Sequence, residues 1–218
     1  MIKRSAAPRS PGRPAADQAH PDLREQLLDA ATALFADEGI AATTMGKIAA
    51  QAGVTPAMVH YYFINRDQLL DAVVDERVMR IVAYVWDGTV GQGEADALEL
   101  VIGLVERLID SAEHQPWLPP LWVREVLNEG GLLRERMLSR LPFDRLQWLA
   151  ERVAVGQRAG QINPAIEPRL VFLSVLGLTL LPLATARTWQ RVPPLAGLGR
   201  DALQRHVVAL LMSGLAAR

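Results

Sequence analysis

Apolar residues recur every three or four positions from Leu23 to Leu215, and no stretch alternates strictly in twos. That period belongs to the α-helix, where side chains at i, i+3 and i+4 share a face. Leu23, Leu27, Ala31 and Leu34, with Phe35 beside them, mark a first helix. Pro21-Asp22-Leu23-Arg24-Glu25 reads as its start, with Asp22 as N-cap and Glu25 reaching back, and Gly39 as its stop. A short second helix is expected from Met45 to Ala52, capped by Thr44, with Ile48 and Ala49 facing inward. Gly53 turns the chain. Thr55 caps a third helix with Pro56 at its first position, where a missing N–H leaves nothing unsatisfied. It ends near Tyr62. Asn65 and Gln68 have capping-box spacing and open a fourth helix from Arg66 to about Trp86.

Helices continue to the C-terminus. Gly88 to Gly93 reads as a loop and Ala95 to His114 as a helix, which Pro116, Pro119 and Pro120 are expected to break. Leu121 to Leu138 makes one helix or two, weakened at Gly130-Gly131, and Phe143 to Arg158 another. After a connector from Gly160 come two strongly apolar helices, Pro168 to Arg187 and Arg200 to Leu215. The expected fold is all-α with about nine helices.

Composition narrows the function. A chain of 218 residues, 50% hydrophobic, can bury a sizeable core. A net charge of −1 means that any nucleic-acid site must come from local arrangement of charge. There is no Cys, and the four His (20, 60, 114 and 206) lack metal-ligand spacing. No Gly-rich phosphate loop follows a strand, because no strand is expected. An all-α enzyme is therefore disfavoured, and no metal or cofactor is expected. The first twenty residues lack the apolar run of a signal peptide. Leu170 to Ala186 is uncharged but barely long enough to span a bilayer and contains Pro182, so a buried helix is expected. The expectation is a cytoplasmic protein with no membrane partner.

The segment 44–63 carries the function. A short helix, a glycine turn and a second capped helix form a helix-turn-helix. The recognition helix of that motif enters the major groove by its N-terminal end, so small residues belong there. Thr55, Pro56 and Ala57 satisfy this, and His60, Tyr61 and Tyr62 supply polar tips for phosphates or base edges. From Gly39 to Arg66 there is no acidic residue, while Lys47 and Arg66 are present.

From Leu23 to Val74 the chain resembles the DNA-binding domain of the tetracycline-repressor (TetR) family. The matching residues are Leu27, Ala30, Ala31, Leu34, Phe35, Gly39, Thr43, Thr44, Ile48, Ala49, Ala52, Gly53, Val54, Tyr62, Phe63, Leu69 and Leu70. The resemblance implies an all-helical homodimer with a C-terminal ligand-binding domain, usually a repressor released by a small molecule. It carries DNA contacts to Thr43 and Thr44, to Thr55, Ala57, Met58, His60 and Tyr61, and to Arg66. Pro56, Met58 and His60 depart from the family's usual residues, so no operator sequence is transferred. The implied organisation is a basic, Pro-rich, disordered tail over 1–21, a three-helix DNA-binding domain over 22–66, and a larger effector-binding and dimerisation domain over 67–218. The tail holds Lys3, Arg4, Arg9 and Arg13 and is either a solvated leader or an arm that touches DNA.

All five Trp lie outside the reader head. Trp117 and Trp122 flank a Pro-Pro pair, where irregular packing favours a pocket. Glu125 continues an apolar stripe with Leu118, Leu121 and Trp122, where an unpaired charge is costly. It must pair with an Arg, reach solvent or contact a ligand. Trp117, Trp122 and Glu125 are therefore the candidate effector residues, and the effector is expected to be small and apolar or aromatic, with a cationic or donor group for Glu125. Leu173, Leu176 and Leu180 on one C-terminal helix, and Leu203, Val207, Leu210 and Gly214 on the other, give more apolar surface than one protomer can bury. A twofold four-helix interface would cover it. The function that follows is a homodimeric, sequence-specific regulator acting on a pseudo-palindromic double-stranded operator, most simply a repressor. The alternative is a dimeric DNA-binding regulator with no small-molecule effector.

Overall fold

The structure, a computed structural model, describes residues 21–87 and 96–217. Of the basic tail expected over 1–21, residues 1–20 lie outside the described residues, as does the loop expected from Gly88 to Gly93, while Pro21 opens the first helix. Within them the chain is α-helical, with short 3-10 and π turns and a single isolated bridge between Ile162 and Ala216.

The reader head comprises α1 (Pro21–Glu38), α2 (Met45–Gln51) and α3 (Pro56–Tyr62). Leu27, Leu28, Ala31 and Phe35 of α1, Ile48 and Ala49 of α2 and Val59 of α3 close one small core, sealed by Phe63. Thr44 and Asn65 cap as their residue types predict: Thr44 Oγ1 accepts from Lys47 N at 3.2 Å and Asn65 Oδ1 from Gln68 N at 2.9 Å. Thr55 has the extended backbone of a cap but makes no side-chain cap bond, which leaves its hydroxyl exposed.

The expected fourth helix is one continuous rod in three parts: α4 (Arg66–Val73), a π turn (Val74–Val78) and α5 (Met79–Asp87). Its π turn receives α1. Arg24 is bonded through both guanidinium Nη atoms to Glu76, and Arg77 reaches Glu25 at 2.8 Å and Asp29 at 3.0 Å.

The larger body is organised around α6 (Ala97–His114), which buries Leu100, Val101, Leu104, Val105, Leu108 and Ile109. Around it pack α5, α9 (Phe143–Arg158), α10 (Val171–Ala184) and α12 (Arg200–Leu215). The proline-rich break falls where it was expected, after His114. The chain leaves α6 at Gln115, and Pro119 and Pro120 sit in the first turn of α7 (Leu118–Trp122). N–H groups there have no intrahelical partner, so proline loses nothing. The segment expected as one helix or two from Leu121 divides into a π turn (Val123–Leu127), a glycine-bearing loop and α8 (Arg134–Leu138). The helix expected from Pro168 likewise divides into a 3-10 turn (Pro168–Leu170), α10 and α11 (Ala186–Trp189).

Candidate DNA interface and effector cavity

The outer face of α3 is polar and open. Thr55, Ala57, His60 and Tyr61 are exposed, and Met58 is 40% exposed. Tyr61 is exposed and stands edge-on to Tyr62, ring centroids 5.2 Å apart, and among the described residues its hydroxyl has no hydrogen-bond partner. Thr44 joins this face at the start of α2. Two residues expected there have other duties. Thr43 is buried, and its hydroxyl donates to the Gly39 carbonyl at 2.9 Å, because the tight loop between α1 and α2 leaves that oxygen unpaired. Arg66 is half-buried and donates to the Ile40 carbonyl. Lys47, in the acid-free window, is held by Glu38 from outside it at 2.5 Å.

The same α1–α2 loop is gripped from the larger body. Glu125 is 6% exposed, and its carboxylate accepts from Ile40 N at 3.0 Å and from Leu132 N at 3.1 Å. Arg124 donates to the Asp37 carbonyl at 3.0 Å. Gly39 has φ +88° and lies under the Arg124 and Glu125 side chains, so both its backbone and its surroundings require glycine. Glu125 thus meets neither an Arg, nor solvent, nor a cavity. It caps two backbone amides, a solution whose partners are too distant in sequence to be read from its own stripe.

Sequence reasoning missed a second connection. Asp67, Asp71 and Asp75 follow one another at four-residue steps along the α4 rod. Arg136 bonds Asp67 at 2.6 Å and Asp71 at 3.1 Å, and Arg140 bonds Asp71 at 3.2 Å and Asp75 at 2.6 Å. Both sides of this ladder show the i, i+4 spacing that puts charges on one helix face.

Behind the rod lies an apolar cavity of about 360 Å³. Val78, Ile81, Val82, Val85 and Trp86 form the rod's wall. Leu118, Trp122, Val126 and Leu127 come from α7 and its π turn, Leu138 from α8, Leu141 from the connector after it, Leu146 and Leu149 from α9, and Phe172, Leu173, Leu176 and Leu180 from α10. Trp86 and Phe172 pack against each other on its wall, ring centroids 4.9 Å apart and planes tilted by 31°. Its charged lining residues are Arg134 and Arg169. Of the three residues expected at an effector site, Trp122 lines this cavity. Trp117 borders a separate polar cleft, with Nε1 donating to Gln115 at 2.7 Å, and Glu125 borders neither. The wall residues on α5, α9 and α10 were missed, although Arg134, Leu138 and Leu141 share a helical face by spacing alone. Among the described residues no group of three His, Cys, Asp or Glu side chains could hold a metal. No helix among them is long and apolar enough to cross a membrane.

The expected dimer residues divide. Leu180 and Val207 are buried inside the protomer, Leu180 on the cavity lining, in helices that both pack on α6. Their stripe is wider than a single contact face, and its inner edge is core. Leu176 and Leu203 are half-buried, whereas Leu173, Leu210 and Gly214 are exposed, in company with Leu170, Gly177 and Leu181.

Residues 27–73, which span α1 to the end of α4, match the family model described as "Bacterial regulatory proteins, tetR family". Residues 27–73 are therefore a TetR-family DNA-binding domain, and over most of its length the chain is similar to TetR-type transcriptional regulators. It is 24% identical over 158 residues to the regulator UidR of Escherichia coli K12, covering 72% of this chain and 77% of UidR. Over 158 residues it is 28% identical to the repressor SCO4008 of Streptomyces coelicolor, covering 70% of this chain and 74% of that one. Identity to the regulator BetI of Rhizobium meliloti reaches 46% over 54 residues, a stretch that spans 27% of BetI. In fold it is similar to the ketosteroid transcriptional regulator KstR2 of Mycobacterium tuberculosis, with a TM-score of 0.69 at 21% identity, covering 93% of this chain and 99% of that one.

Proposed function

We propose that this TetR-family chain is a homodimeric, ligand-responsive repressor whose effector occupies the apolar cavity. One observation carries the reading: the cavity's wall and the exit of the recognition helix belong to the same continuous rod, Arg66 to Asp87. A volume of about 360 Å³ with apolar walls suits a small molecule. A regulator that only dimerised would have no need of the void.

Residues 22–66 form the reader, and 67–218 the effector and dimerisation body. Thr44, Thr55, Ala57, Met58, His60 and Tyr61 face the major groove, with Arg66 near the backbone. Leu170 of the 3-10 turn, Leu173, Gly177 and Leu181 of α10 and Leu210 and Gly214 of α12 form the twofold interface. An exposed apolar face of this kind is poorly tolerated on a monomer. In the dimer the two heads must stand about one turn of DNA apart, roughly 34–36 Å. An effector that prefers a different rod position shifts the population away from that spacing, by no more than its differential affinity for the two states.

Fluorescence anisotropy with DNA from upstream of the gene tests this, together with the Leu176→Trp variant, which fills the cavity. Wild-type protein should bind as a dimer and be released by extracts containing the effector, and Leu176→Trp should bind DNA but not be released. Release of both proteins alike would remove the cavity from the mechanism.

A further inference from the structure

Three arginines leave the loop and helix at α8, and two of them, Arg136 and Arg140, are engaged by the aspartates of α4. Arg134 is not. It is half-buried, it lines the apolar cavity, and among the described residues its guanidinium has no acceptor. Among the described residues no carboxylate lines this cavity, and the other cation there, Arg169, is already bonded to Glu167 at 2.6 Å. On the same lining, the indole of Trp122 has a buried Nε1–H with no acceptor. A half-buried guanidinium beside an apolar void carries an uncompensated charge and up to five unused donors, a condition that a bound anion relieves. A carboxylate matches the planar fork in two parallel hydrogen bonds.

We propose that the effector is an apolar carboxylic acid, its hydrocarbon body against the Trp86 and Phe172 walls and its carboxylate on Arg134. This rests on the cavity being the effector site. A single unpaired cation fits a monoanion, and a phosphate dianion would bring in a charge that nothing on this apolar lining balances. The assignment reverses the sign expected from Glu125, whose charge is committed to Ile40 and Leu132 outside the cavity. It also supplies a path to the head. Arg134 begins α8, which carries Arg136 and is followed at once by Arg140, the two residues that hold the rod's aspartates, so a ligand drawing on Arg134 pulls on the ladder.

Three probes of equal length test the charge: decanoate, 1-decanol and decylamine, titrated by calorimetry into the full-length dimer. Decanoate should bind about tenfold tighter than decanol, and decylamine weakest. Arg134→Gln should abolish the advantage of decanoate and leave decanol within about twofold. Trp122→Phe should weaken decanoate by a smaller factor. Decylamine binding as tightly as decanoate, or an Arg134→Gln variant with unchanged decanoate affinity, would overturn the proposal. The three-probe comparison on wild-type protein decides the matter even if the variant does not fold. Leu176→Trp separates the two levels of the argument. If decanol binds wild type and not Leu176→Trp while decanoate shows no preference, the cavity stands as the site and the carboxylate assignment falls. If none of the three binds wild type, both fall.

Discussion

The carboxylate of Glu125 accepts a hydrogen bond from the backbone N–H of Ile40 at 3.0 Å, across 85 residues of sequence. Ile40 is the last turn before the helix-turn-helix, and Glu125 is one residue from the cavity wall at Val126. Ile40's carbonyl is held in turn by Arg66, the first residue of the α4 rod. One residue's backbone, through its N–H and its C=O, therefore ties together the reader, the rod and the larger body.

Glu125→Gln should destabilise the protein without weakening effector binding. The amide keeps one acceptor and turns an N–H toward a backbone N–H, leaving one buried donor unpaired. The expected loss is about 1–3 kcal/mol, or roughly 2–10 °C in Tm. Thermal unfolding with a parallel effector titration checks it, and an unchanged melting curve would contradict this role for Glu125.

Gly131 faces the same knot. A Cβ there would overlap the Glu125 carbonyl group, which is backbone and cannot swing aside. Gly131→Ala should therefore cost about 1–3 kcal/mol, as overpacking does. Gly46→Ala is the control: its Cβ meets Thr44 Oγ1 only at 3.8 Å, and alanine favours the helix, so Tm should hold or rise.

The reader's local signals were legible because each spans four residues or fewer. Thr44 to Lys47 and Asn65 to Gln68 are caps whose donor and acceptor are sequence neighbours. The cavity was not legible because its walls come from the rod and from α6 through α10, and no periodicity within one helix says which of its faces meets a void. Leu180 and Val207 show the same limit from the other side. Their stripes were visible, but which edge of a stripe turns inward depends on where α6 lies.

Tyr61→Phe should weaken operator binding about three- to tenfold, the loss of one hydrogen bond to DNA. The hydroxyl has no partner among the described residues, so Tm should not move. Anisotropy and melting measured on the same preparation check both halves. An unchanged operator affinity would take Tyr61 off the contact face.

Leu210→Asp should separate the protomers. Leu210 is 48% exposed in the protomer, so its own fold has little to lose, while a carboxylate buried at a twofold interface costs several kcal/mol. Light scattering should report a monomer, and operator binding should be lost with it. A stable dimer of the variant would move the interface elsewhere.

Acid should loosen α1 from the rod. The hydrogen bond from Arg24 holds the Glu76 carboxyl below its usual pKa of 4.5, despite the opposing effect of burial. A carboxyl depressed in the folded state contributes stability that is complete above the unfolded pKa and lost as pH falls through the folded one. Wild-type Tm should therefore drop more steeply than that of Glu76→Gln as pH is lowered from about 6 to about 3. Parallel curves for the two proteins would refute it.

The ladder on α4 has three carboxylates facing two arginines, and Asp71 is shared between them. Its steps are one helical turn, about 5.4 Å. A shift of α4 by that distance would exchange partners and leave both guanidiniums occupied, whereas a shift of half a turn would leave them facing gaps. Such a mechanism has click-stops: it favours two rest positions over a continuous slide. Its grip lies at the surface, where a Debye length of about 8 Å at physiological salt weakens every contact in it. The stiffness of each stop would then be set by the ionic strength of the cell, and the dose of effector needed to trip it would fall as the medium grows saltier.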